Sequence, residues 1–130
     1  MPRAYTIATA ALTLRVPLKW LDNTLSHIRV AGVHQERQGV ARRLSIDALL
    51  VLAIATMLIN DLEIPLAGAI EIAGGLAGND GQYTSPEGLT LRLDLEKVRA
   101  DLLERLENAV EIAPIPTRGR PPKTKTGRLD

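Results

Sequence analysis

Residues 41–52 read ARRLSIDALLVL, and within these twelve residues the character of the chain changes. Arg42 and Arg43 close the second arm of a segment, VHQERQGVARRLS, that has a polar centre, valines on both arms and a Gln38-Gly39 pair in the middle. That arrangement predicts a small hairpin. Ser45 is suited to be the N-cap of a helix, because its hydroxyl can accept a hydrogen bond from a first-turn amide. That helix is expected from Ile46 to about Leu62. From Ala48 to Ile59 only Thr56 interrupts the apolar run, and Asp47 and Asn60 bound it. A bilayer span needs roughly 20 apolar residues, so this helix belongs in the middle of a protein core.

Upstream, apolar residues recur at helical spacing. YTIATAALTLRV fits a short helix over about 6–14, with Ile7, Ala11 and Leu14 on one face. Pro17 suits the first turn of a second helix, PLKWLDNTLSHI, because its missing N–H costs nothing there. In that helix Trp20, Leu21, Thr24, Leu25 and Ile28 can face inward. Lys19, Asp22, Asn23, Ser26 and His27 are left for solvent or a ligand.

Downstream, Pro65 opens a further short helix expected to end near Gly74-Gly75. Residues 74–88, GGLAGNDGQYTSPEG, contain five glycines in fifteen and read as a linker. No strand leads into them at dinucleotide-fingerprint spacing. Over 89–113, Leu89, Leu91, Leu93 and Leu95 alternate with polar residues as in a half-buried strand. From Glu96 the period becomes helical, with Val98, Leu102, Leu106 and Val110 on one stripe. A lone strand and helix must dock on the first region or on a second copy of the chain. The leucine repeats favour a homodimer.

The core must be built without phenylalanine and with one tryptophan, and the absence of cysteine excludes disulfides and thiolate metal sites. His27 and His34, with Glu36 nearby, make no convincing metal or acid–base site, and no nucleophile–His–acid grouping is present. The chain is therefore expected to be no enzyme and to need no cofactor or metal. No apolar h-region precedes the ATAA near the N-terminus, so a cytoplasmic protein is expected, with no membrane partner. The net charge of +1 conceals a partition. Residues 1–45 carry seven basic and two acidic side chains (+5), 46–116 carry four and twelve (−8), and 117–130 carry five and one (+4). Basic ends around an acidic middle suit contact between the ends and a polyanion.

Helix, turn, helix, hairpin and two further helices succeed one another as in a winged helix-turn-helix. Over about residues 5–73 the chain resembles the mercury-resistance regulator (MerR) family. YTIATAALTLRVP resembles that family's opening, ARRLSIDALLVL its exit from the wing, with Arg42, Arg43, Ser45 and Asp47 in register, and NDLEIPLAGAIEI the segment after it. Leu21 and Asp22 stand where members usually carry an Arg-Tyr pair. The resemblance implies a mainly α fold with a small β wing (1–73), and sequence-specific binding to double-stranded DNA. The second helix would enter the major groove, with Lys19, Asn23 and Ser26 as groove contacts. The wing would lie on the backbone, with Arg37, Arg42 and Arg43 as phosphate contacts; adjacent strand residues point to opposite faces. The expected protein is a small dimeric transcriptional regulator with no evident small-molecule effector site. The alternatives are a protein-interaction module, antitoxin-like or sigma-factor-binding, and an architectural DNA-binding protein.

The basic tail, 114–130, contains Arg118-Gly119-Arg120-Pro121. This resembles the core of the AT-hook, in which glycine lets the backbone approach the minor-groove floor and the arginines seek its negative potential. Arg118 and Arg120 are therefore further candidate DNA contacts.

Overall fold

The computed structural model describes residues 4–35 and 42–112. Strand β1 (Ala4–Thr6) leads into α1 (Ile7–Leu14), and α2 (Leu18–His27) comes after a tight turn. Strands β2 (Val33–His34) and β3 (Arg43–Ser45) precede α3 (Ile46–Leu62) and α4 (Leu66–Gly78). A second pair of strands, β4 (Gln82–Thr84) and β5 (Thr90–Arg92), then leads to α5 (Leu95–Ile112). The described chain is thus mainly helical, with two small antiparallel sheets ordered β1-β3-β2 and β4-β5.

Local chemistry sets the boundaries. Thr6 and Ser45 cap α1 and α3, each accepting from the amide three residues on. Arg15 and Glu63 end α1 and α3 in the left-handed region, where their amides return to carbonyls of the last turn. The pairing of β2 with β3, Val33 opposite Leu44 and His34 opposite Arg43, agrees with the expected hairpin arms. Its centre, Gln38-Gly39, lies outside the described residues. Strand β1 had no signal in its pattern; it adds to the free side of β3, with Tyr5 opposite Leu44. Gly32 closes the junction: its carbonyl accepts from the Ser45 amide at 2.9 Å. Its φ is +92°, and a Cβ there would overlap the Ser45 Oγ that caps α3.

Helix α3 is the centre of the core. Ala48, Leu49, Leu52 and Ile54 are fully buried, and α1, α4, α5 and β3 all pack on it. Two expectations about the C-terminal half are corrected. Residues 74–88 are not a linker: α4 runs through Gly74 and Gly75 to Gly78, and β4 and a turn occupy the remainder. Glycine inside a helix costs about 1 kcal/mol against alanine, but packing decides here. A Cβ on Gly75 would come within 2.8 Å of the Tyr83 ring, so its absence lets β4 close on the helix. The leucine alternation also ends early. The Asp94 carboxylate accepts from the Lys97 amide at 3.1 Å, and α5 begins at Leu95. Leu95 is thereby buried in the helix, while Leu89 remains exposed ahead of β5.

The apolar stripe of α5 docks within the chain, on α1 and α3. Leu95, Leu102, Leu106 and Ala109 are buried and Val98 is half-buried, whereas Val110 faces outward. Leu102 and Leu106 are therefore not a dimer seam. Leu102→Ala should lower unfolding free energy by about 2–5 kcal/mol. Its exposed neighbour gives the control, with Leu103→Ala costing under about 1 kcal/mol. Urea unfolding reads both; a loss at Leu103 as large as or larger than that at Leu102 would contradict the docking of α5 in its own chain.

Candidate nucleic-acid interface

Helix α2 has one buried and one open side. Leu21, Thr24 and Leu25 are buried, with Trp20 and Ile28 half-buried against the core. Lys19, Asn23, Ser26 and His27 are exposed, as the helical spacing anticipates. Leu18, in the first turn, is also exposed. Pro17 is the N-cap and supplies no side-chain hydrogen bond, so the first amides of α2 are left without a capping side chain.

The expected site residues do not all play the same part. Lys19 and Asn23 project from the open side, and the Asn23 carbonyl is bonded by His27 Nδ1 at 2.8 Å. A carbonyl can only accept, so Nδ1 carries the proton and Nε2 is the ring atom left for an outside partner. Ser26 is more constrained: its hydroxyl donates to the Asp22 carbonyl and accepts from Arg42. Arg43 is exposed on β3. Arg42 is turned inward; one terminal nitrogen donates to the Asp22 carboxylate at 2.9 Å and the other to Ser26 Oγ at 3.2 Å. The pair of arginines thus divides, Arg43 open to solvent and Arg42 a brace between α2 and the start of β3. Arg37, Arg118 and Arg120 lie outside the described residues.

Two features escaped the sequence. Asp22 is the partner of Arg42 from twenty residues away, and helical spacing alone could not reveal that pairing. Arg29, in the connection after α2, joins Ser26, His27, Gly32, Val33 and Arg42 around a polar groove between α2 and β2. Arg15 is a further exposed cation, at the turn between α1 and α2.

Electrostatically this end of the molecule is distinct. Among the described residues up to Ser45 there are five Lys/Arg (15, 19, 29, 42, 43) and one carboxylate, Asp22, which is paired with Arg42. Residues 46–112 carry four basic and twelve acidic side chains. The balances of the two stretches are +4 and −8. Among the described residues no cluster of three His, Asp or Glu could hold a metal ion, and no helix is long and apolar enough to cross a membrane. No family model, curated protein or solved structure matches this chain.

The brace predicts a measurable coupling. Asp22 is about half exposed, so solvent screens the pair. A double-mutant cycle with Asp22→Ala and Arg42→Ala should give a coupling of about 0.5–1 kcal/mol in unfolding free energy. A coupling of zero would mean that α2 is held without the brace.

Proposed function

We propose that the chain is a sequence-specific DNA-binding protein of winged helix-turn-helix type, acting as a small transcriptional regulator. Helix α2 enters the major groove, and the β2–β3 side lies along the backbone. One observation carries this reading: the open side of α2 holds a cation, an amide and a hydroxyl, and Arg42 neutralises the helix's one carboxylate. Lys19 and Asn23 are the groove contacts, since lysine can donate to guanine and asparagine can pair with adenine. Arg43 contacts a phosphate, whereas Arg42 acts through α2 by fixing its position. The segregation of charge supports the same orientation, because a polyanion is attracted to the basic end and repelled by α5. A regulator that dimerises on a two-fold operator would do so through side chains other than Leu102 and Leu106, which the core already covers.

Fluorescence anisotropy on duplexes selected from a random pool tests the reading. The selected duplex should bind at least about 10³-fold tighter than random sequence. Lys19→Ala and Asn23→Ala should each cost about 1–3 kcal/mol on the selected duplex and relax base preference. Arg43→Ala should weaken binding to every duplex alike and reduce the salt slope by about 1. A specificity ratio near one would make the protein architectural. Binding no tighter than about 10⁻⁵ M at physiological salt would overturn the reading and leave a protein-interaction module.

A further inference from the structure

Where α2 ends, the chain passes through Arg29, Val30, Ala31 and Gly32 before β2 begins, and this connection lines the groove between α2 and β2. Arg29 and Ala31 are exposed. Arg42, on the same groove, is neutralised by Asp22, whereas Arg29 has no ion pair or hydrogen-bond partner for its side chain among the described residues. The backbone amides of Arg29 and Ala31 likewise donate to no acceptor among the described residues. No carboxylate is among the described residues that line the groove; its ionisable side chains are His27, Arg29 and Arg42. The groove therefore offers an unneutralised guanidinium and two spare amide donors, with no carboxylate to oppose an anion.

We propose that this groove seats one phosphate of the DNA backbone, with the Arg29 guanidinium as counter-charge and the amides of Arg29 and Ala31 as donors. The inference rests on the DNA-binding reading and adds to it a second backbone contact, at the C-terminal end of α2. The dimensions of the groove bring a strand there. Ten residues of helix extend about 15 Å, whereas the major groove is about 12 Å wide. With Lys19 and Asn23 on the bases, the residues that follow α2 reach the border of the groove, where the phosphates lie. A guanidinium suits that position, because it is always charged and offers several donors to phosphate oxygens. Phosphate contacts fix orientation and carry no sequence information, so Arg29 governs how α2 lies and not which bases it reads. Arg43 is exposed on β3 and does not line this groove, so it meets a different phosphate.

Arg29→Ala, combined with duplexes carrying one neutral methylphosphonate linkage at a time, tests the seat in the full chain. Because Arg29 is exposed and unpaired among the described residues, its replacement should leave the urea midpoint unchanged. The variant should bind selected and random duplexes more weakly by the same factor. Its salt slope should fall by about 0.9, so that between 50 and 200 mM salt it loses about 3.5-fold less affinity than the unaltered chain. Arg29→Lys keeps the charge and should restore the slope. One methylphosphonate should weaken the unaltered chain and leave Arg29→Ala unaffected, at a linkage different from the one that Arg43→Ala ignores. The Arg29 amide resonance should move with duplex and stay in place with inorganic phosphate at the same total phosphate concentration. Equal movement would make the groove a free-anion site and overturn the backbone assignment. Selective DNA binding in which Arg29→Ala keeps the full slope, lysine restores nothing, or no linkage is ignored would overturn the seat and leave the DNA-binding reading standing. Failure to bind any duplex would overturn both.

Discussion

Burial of the middle of α3, from Ala48 to Ala55, is the constraint on which the other elements depend. A helix with Ala48, Leu49, Leu52 and Ile54 fully buried and Leu50, Ala53, Ala55 and Leu58 almost so exposes little between Asp47 and Asn60 beyond Met57. Fully burying a single leucine or isoleucine is worth about 1.5–3 kcal/mol, so the remaining elements must arrange themselves as its cover. Helices α1, α4 and α5 supply that cover with their apolar sides and turn their polar sides to solvent. The N-cap at Ser45 then fixes where the sheet ends and the core helix begins, and Gly32 can approach that cap because it has no side chain.

Helix α2 is placed differently. It packs chiefly on α1, not on α3, and so sits at the margin of the core. A marginal helix leaves a whole side open, which suits contact with another molecule, but it needs a second anchor to hold a defined angle. Arg42 supplies one by bridging Asp22 and Ser26 from the beginning of β3. The same interaction removes the negative charge that would oppose a polyanion on that side. Position and charge are therefore set by one side chain.

The elements most legible in the sequence were those whose signals are local. Pro17 and Ser45 mark the starts of α2 and α3 at the residues where those helices begin, and the α2 pattern separates Leu21, Thr24 and Leu25 from Lys19 and Asn23 correctly. What could not be read depended on distant partners. Gly74 and Gly75 look like a break, yet Tyr83 packs against Gly75 and the helix continues. The leucines of 89–95 look like one strand, yet the Asp94 cap diverts Leu95 into α5. The α5 leucines could be covered by the first region or by a second copy, and the leucine repeats favoured the copy, whereas α1 and α3 of the same chain cover Leu102 and Leu106. Likewise, adjacent arginines at 42 and 43 are indistinguishable by type, and only the fold reveals that Asp22 engages the first and leaves the second exposed.

The central proposal is that the basic elements α2, β2 and β3 meet nucleic acid and that the acidic helix α5 does not. Amide chemical-shift mapping during titration with a DNA duplex at low salt tests that claim most directly. Shifts concentrated in residues 18–29 and 42–45, with those of 95–112 unmoved, are the predicted result. Shifts centred on α5, or no shifts at all at saturating duplex, would contradict it.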